Sequence, residues 1–514
     1  MKKTSKLVAL ILAGLMLCST FVACGDDDKE AETTSSDGGP GATETTSPVG
    51  DMTAPETEAG IDTVQVAIDA LKETVDWGGK TFYIMYASEV DGYNEELENY
   101  HEIAGVVSEG VYKRNTLLEE YAKLKLYVAP CTMGNLGDIL KSEAGYSYGE
   151  VQLISTTMGA TSSYAASGLL YDYMKLDIDY EQPCWDKGTL NHALDGKVFF
   201  MNGAFNFTDD DATSVMMFNK SMGGHYGMED LYNIALYKIV KDKKWTIDKF
   251  AALASGYSAD NGNGNWDEKD TYGFACTDTI GTTFFYGAGL KHIENTPEMV
   301  EPMLVLTGAE MEKAVDVMNK LRAILYTNHT SYLAENNEEE KARSVFVGGR
   351  SLFFADTASY LRTLQSTMTD DFGILPIPKY SESQDNYYTW SGPIGSTLSI
   401  PASVDKVYDD MENFAGVVEL YALLSEQYVR PAYYKRLLTT RGVYDVQSAE
   451  MADLIFPNRI YDMAMIYDAS FFLVNTFKTA VLSANAPDFP AQYTPKTHSF
   501  DRTVSKILRN LRES

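Results

Sequence analysis

"ATSVMMFNKS" (212–221) has an apolar centre of four residues between small and polar ends. Such a short unbroken run, rich in β-formers, fits a strand covered on both faces. "KVFFMNGAF" (197–205) just before it has the same character, as do "TFYIMYA" (81–87), "VQLIST" (151–156), "SLFFADT" (351–357) and "DFGILPIPK" (371–379). Between these runs the apolar period changes. "EGVYKRNTLLEEYAKL" (109–124) places Val111, Leu117, Leu118, Tyr121 and Leu124 near helical spacing. "EMEKAVDVMNKLRAIL" (310–325) carries Met311, Ala314, Val315, Met318, Leu321 and Leu325 on one face, and "MENFAGVVELYALLSEQY" (411–428) repeats the pattern. "WTIDKFAALA" (245–254) offers Thr246 as an N-cap. Strands that alternate with helices predict an α/β sheet architecture. No internal repeat interrupts it.

The 514 residues carry a net charge of −31. An acidic surface repels phosphate backbones and excludes nucleic acid as a partner. Aromatic residues make up 12% of the chain, including 34 tyrosines. An acidic, tyrosine-rich protein suits a neutral polyhydroxyl ligand, whose C–H faces stack on rings while its hydroxyls pair with Asp, Asn and Glu. Cys131, Cys184 and Cys276 are scattered, and the six histidines form no ligand pair at metal spacing, so no metal and no cofactor are expected.

The N-terminus adds a location. Lys2, Lys3 and Lys6 precede "LVALILAGLML" (7–17), an apolar run too short to span a bilayer permanently, which is the layout of a secretory signal. "FVAC" (21–24) resembles the lipobox of bacterial lipoproteins, with Phe21 where Leu is usual. That resemblance implies cleavage after residue 23 and a lipid on Cys24. Residues 25–60 hold ten acids against Lys29, a net charge of −9, among Thr, Ser, Pro and Gly. Such a composition cannot repay the entropy of ordering, so a disordered tether is expected over 24–75.

"SADNGNGNWDEKDTYG" (258–273) resembles an EF-hand or dockerin loop. Aligning Gly264 with the central glycine puts Asn261, Asn263, Asp267 and Asp270 at ligand positions. Ala259 then holds the first position and no bidentate Glu closes the loop. A polar turn is the expectation, with calcium as the weaker alternative.

Several stretches in a consistent order carry a wider resemblance: "GVYKRN" (110–115), "DYEQPCWD" (179–186), "MMFNKS" (216–221), "KWTIDKF" (244–250), "DTYGF" (270–274), "DDFGILPIPKY" (370–380), "SIPAS" (399–403) and "RPAYYKRLL" (430–438). Over residues 76–470 the chain resembles the extracellular solute-binding proteins (family 1) of bacterial carbohydrate ABC importers, the group related to maltose-binding protein. The resemblance implies a two-lobed periplasmic-binding-protein-like fold of type II, with hinge strands between the lobes. Lobe 1 would hold 76–216 with about 390–450, and lobe 2 217–388 with about 451–514. It also implies capture of a sugar or oligosaccharide without chemistry, delivery to ABC permease subunits, and a monomer held by its lipid at the extracytoplasmic face of the cell membrane.

In such a fold ligand groups sit on loops at strand ends that face the cleft. The residues so placed are Glu89, Asp91, Tyr93 and Asn94; Trp185; Asn206, Asp209 and Asp211; Phe285 and Tyr286; Asp356, Ser359 and Tyr360; and Tyr388 and Trp390. Trp185, Tyr360 and Trp390 are expected to form a partly exposed aromatic wall. Paired carboxylates beside aromatics also describe an exported glycoside hydrolase, and an adhesin would share the same composition. Both alternatives stay open at this point.

Overall fold

The computed structural model describes residues 62–98, 105–146, 149–223, 229–334, 338–438, 446–467, 473–482 and 488–513. The expected signal segment, Cys24 and most of the expected tether lie outside the described residues. The tether, expected to run to residue 75, gives way earlier to the helix Thr63–Leu71, capped by the Asp62 carboxylate and packed through Ile68 and its neighbours on the helix Met411–Leu438. Val64, Ala67, Ile68 and Leu71 give it one apolar stripe, enough to join the core.

The strands, in chain order, are β1 (Thr81–Ala87), β2 (Lys125–Cys131), β3 (Leu153–Thr157), β4 (Phe200–Met201), β5 (Ser214–Asn219), β6 (Tyr272–Thr277) and β7 (Ile293–Glu294). They continue with β8 (Met303–Leu304), β9 (Ser331–Ala334), β10 (Ser351–Thr357), β11 (Phe372–Leu375), β12 (Thr389–Trp390), β13 (Ser396–Ser399) and β14 (Arg459–Ile460). The first sheet has the order β2-β1-β3-β13-β4, with β1 parallel to β2 and β3, and β13 antiparallel to β3 and β4. The second has the order β9-β6-β10-β5-β11, with β6 parallel to β9 and β10, and β5 antiparallel to β10 and β11.

The two sheets are built alike, and each contains one strand taken from across the molecule. β5 follows β4 in the chain yet pairs in the second sheet, and β13 returns to the first. This exchange defines two α/β lobes joined by crossing segments. A bridge between Thr213 and Ser391 ties the two crossings together, and β12 pairs with β14 beside them.

Packing explains the strand choices. All six residues of β5 and all six of β6 are buried, as their near-continuous apolar character requires. A Cβ at Gly273 would stand 1.8 Å from the Ala254 carbonyl oxygen, so only glycine lets the helix Ile247–Ala254 approach β6. In lobe 1, Gly110 plays the same part. A Cβ there would lie 2.3 Å from the Tyr428 carbonyl oxygen, where the helices Val106–Tyr121 and Met411–Leu438 cross. Trp245, Phe250, Phe274, Phe284 and Phe353 meet edge-on or tilted to fill lobe 2.

The last helix, Phe489–Glu513, starts in lobe 2, where the Tyr493 hydroxyl meets His292 Nδ1 at 3.2 Å. It ends against lobe 1: Lys197 Nζ donates to the Leu511 carbonyl at 3.2 Å and Arg512 pairs with Asp195 at 2.6 Å. No helix of the described residues is long and apolar enough to cross a membrane.

Candidate ligand site between the lobes

The segment from β4 to β5 contains "NFTDDDATS" (206–214), three consecutive carboxylates at the crossing. A short helix, Thr208–Asp211, turns them in different directions, and all three are buried. Asp209 Oδ2 accepts from Asn202 Nδ2 at 3.1 Å and from the Tyr461 hydroxyl at 3.0 Å, with Arg459 at 3.4 Å. Asp210 pairs with Arg459. Asp211 pairs with Arg362 at 2.5 Å and accepts from the Tyr433 hydroxyl at 2.9 Å. Asp186 completes the cluster, held by Arg459 at 2.6 Å and Arg430 at 3.2 Å.

Burial pushes the Asp209 carboxyl well above its ordinary value and Asp210 up to about 6, against the pull of the Arg459 guanidinium. Glu96 lies beside them. It is wholly buried, accepts from Ser396 Oγ at 2.9 Å and from the Thr208 N–H, and is pushed up to about 8 by burial. Asn206 braces the same point, donating to the Ser396 carbonyl and accepting from Gly203 N–H at 2.9 Å. Asn206, Asp209 and Asp211 therefore come together, and their polar groups fix the crossing.

Ser359 and the segment after Trp390 join that crossing. Ser359 N–H donates to the Asp211 carbonyl at 2.9 Å, and Ser391 Oγ donates to the Asp209 carbonyl at 2.7 Å. Tyr93 is buried, and its hydroxyl donates at 2.8 Å to the carbonyl of Ile394, whose own side chain is 62% exposed. Asn94 is half-buried next to it. Glu89 and Asp91 are exposed on the lobe 1 rim, where the Glu89 carboxylate accepts from Met133 N–H at 3.0 Å and caps the helix Met133–Tyr146.

The expected aromatic wall is not exposed in this structure: Trp185, Tyr360 and Trp390 are 3%, 8% and 9% accessible. Each ring has found a partner from a distant segment. Trp185 packs edge-on to Phe205 at 5.6 Å in the lobe 1 core. Tyr360 lies 4.7 Å below the Arg343 guanidinium, which also pairs with Asp356 at 2.9 Å. Trp390 Nε1 donates to Thr283 Oγ1 at 3.2 Å and its ring lies 6.1 Å from Tyr286. Phe285 stacks on His292 at 4.3 Å, and the Tyr286 hydroxyl donates to Asp462 at 3.2 Å. Tyr388 stays half-buried against Gly289.

Sequence reasoning missed the groups that surround these carboxylates. Arg459, Arg430, Arg362, Tyr461 and Glu96 are each remote in sequence from Asp209–Asp211. The one usable signal is "NRIYD" (458–462), where extended spacing puts Arg459 and Tyr461 on one side.

The calcium-like loop satisfies itself. Asp270 is buried and accepts from Asn261 N–H at 2.8 Å and Asp267 N–H at 2.7 Å. Asn263 Oδ1 accepts from Asn265 N–H at 2.7 Å, and Asp267 Oδ1 accepts from Lys269 N–H at 2.8 Å. No group of three His, Cys, Asp or Glu among the described residues is arranged to hold a metal ion. Cys131, Cys184 and Cys276 are free thiols.

No protein-family model and no curated protein matches the sequence. Solved structures match the fold. A cyclo/maltodextrin-binding protein complexed with maltotetraose superposes with a TM-score of 0.51 at 13% identity, covering 84% of this chain and 96% of that one. The galacto-N-biose/lacto-N-biose I-binding protein of a Bifidobacterium longum ABC transporter gives 0.49 at 12% identity, covering 84% and 98%. Maltose-binding MalE from Listeria monocytogenes gives 0.47 at 13% identity, covering 85% and 98%. The first carries the assignment: this chain has a two-lobed α/β fold, with hinge strands between the lobes, similar to that of the cyclo/maltodextrin-binding protein.

Proposed function

We propose that this protein captures a sugar or oligosaccharide between its lobes and hands it to the permease subunits of an ABC importer. Lobe 1 is assigned residues 76–216 with about 390–450, extended by the helix Thr63–Leu71, and lobe 2 takes 217–388 with about 451–514. The observation that carries this reading is the strand exchange through β5 and β13, in a fold similar to one solved with maltotetraose bound. Closure about such crossings would enclose a ligand. The solvent-facing candidates are Glu89, Asp91, Asn94, Ser359 and Tyr388; domain opening would part Trp390 from Thr283 and Tyr286, whereas Tyr360 is covered by Arg343 and Phe354 of its own lobe. A lipid on Cys24 holds the monomer at the extracytoplasmic face of the membrane.

Binding without chemistry is favoured over glycoside hydrolysis because Asp209, Asp210 and Asp211 are engaged by Arg459, Arg362 and Tyr433, which leaves no free acid–base pair among them. A thermal-shift screen against neutral mono- and oligosaccharides, followed by calorimetry, tests the proposal. A ligand at about 100 times its dissociation constant stabilises by roughly 2.7 kcal/mol. Absence of any shift across the panel would sink the reading, and the appearance of new reducing ends would replace it with hydrolysis.

A further inference from the structure

The chain is acidic overall, and two of its basic stretches are Lys238–Lys244, where Lys238 and Lys241 pair with Asp242 and Glu450, and the last helix. The helix Phe489–Glu513 holds five cations (Lys496, Arg502, Lys506, Arg509 and Arg512) against Asp501 and Glu513, a net charge of +3 within a chain of −31. Its apolar residues turn inward: Phe500, Val504, Ile507, Leu508 and Leu511 are buried. At about 100° per residue, His498, Arg502, Lys506 and Arg509 fall within an arc of roughly 80° on the opposite side. All four are exposed. Arg512 is neutralised by Asp195, whereas Arg502, Lys506 and Arg509 form no ion pair among the described residues.

We propose that this basic stripe docks on the anionic headgroups of the bilayer to which the chain is tethered; the lipid on Cys24 enters the proposal only by keeping the domain within reach. The stripe carries no exposed apolar side chain, so it rests on headgroups without inserting. It forms a straight row of charge with no pocket and no aromatic anchor, which fits a continuous charged plane better than the focused hot spots of a protein partner. The chain outside this helix carries a large net negative charge and is repelled on balance, so contact through this helix would orient both lobes relative to the membrane. The attraction acts within a Debye length, about 8 Å at physiological salt.

The test uses the full acylated chain carrying Ser505→Cys together with Cys131→Ser, because Cys131 is a part-exposed free thiol whereas Cys184 and Cys276 are buried. It is labelled at residue 505 with a fluorescent donor and reconstituted into vesicles containing an acceptor lipid. Vesicles of phosphatidylcholine alone are compared with vesicles containing phosphatidylglycerol. Energy transfer is expected to be higher with phosphatidylglycerol, and to fall to the neutral level at about 1 M salt, where the Debye length is about 3 Å. It is also expected to fall to that level in the variant Arg502→Glu, Lys506→Glu, Arg509→Glu, whose melting temperature checks that it folds. Equal transfer from both vesicles would overturn the proposal and point to an acidic soluble partner. Transfer that survives the triple reversal would overturn it as well. Should the chain leave neutral vesicles, anchoring is what fails; co-sedimentation of the same chain with anionic vesicles, lost in the triple variant, then decides the docking.

Discussion

Asp209–Asp211 and the loop 258–271 are both acid-rich and look alike in sequence, but they are stabilised in opposite ways. At the crossing, carboxylates are buried and paired with Arg459, 249 residues from Asp210, and Arg362, 151 residues from Asp211. In the loop, the acceptors serve N–H groups a few positions away. Asp260 accepts from Gly262, Asn263 and Gly264, and those N–H groups hold its carboxyl below the ordinary range. Burial instead raises Asp209 and Asp210. What separates the two is the source of the donors, local backbone or distant guanidinium, and each source has its own signature under mutation and pH.

The largest effect should follow from Arg459→Ala. Removing this guanidinium leaves Asp186, Asp209 and Asp210 buried with reduced countercharge, a change that typically costs about 3–5 kcal/mol. Chemical denaturation of the variant measures it. A loss under about 1 kcal/mol would mean that the crossing is held by packing alone.

A smaller effect comes from Glu96→Gln and is read in its pH dependence. Glu96 is raised to about 8 in the fold by burial, so between its ordinary value and about 8 the folded protein holds a proton that the unfolded chain has released. Its contribution is present at low pH and lost as pH rises through that window. At about 1.4 kcal/mol per unit the ceiling is a few kcal/mol. The wild-type melting temperature should decline from about pH 5 to about pH 8, and the glutamine variant should flatten the decline. An unchanged slope would remove Glu96 from the account.

The smallest effect belongs to the loop. Asp270→Ala strips the acceptor from two N–H groups and should cost about 1–3 kcal/mol. Chelator should leave the melting temperature of the wild type unchanged. A shift of many degrees that Asp267→Ala abolished would make the loop a calcium site after all.

Sequence reading reached what depends on neighbours along the chain. "TFYIMYA" and "SLFFADT" coincide with β1 and β10, the stripe read over 310–325 lies within the helix Gly308–Tyr326, and Thr246 caps its helix by accepting from Lys249 N–H. "SVMMFN" is legible as a strand from its apolar character, but the lobe boundary expected at residue 216 falls inside it, whereas β5 pairs along its length in the second sheet. The candidate site was less legible, because burial of a charged or aromatic side chain depends on partners from other segments. Asp209 reads as a solvated acid until Arg459 and Tyr461 are brought beside it. Trp185 reads as a ligand platform until Phe205 meets its edge. Thr63–Leu71 is not legible as a helix, because nine residues next to an acidic stretch carry only a short period.

The strand exchange also governs when the chain can finish folding. Glu96 waits for Ser396, 300 residues later, and Asp186 waits for Arg459, 273 residues later. β13 cannot join β3 until the whole of the second sheet has been synthesised. Contacts this distant make folding slow, because loop closure must precede the interactions that reward it. During that interval β3 has an open edge where β13 will pair, and unpaired strand edges are a condition under which intermediates aggregate. The same topology that lets two lobes share one hinge therefore lengthens the time for which that edge stays open.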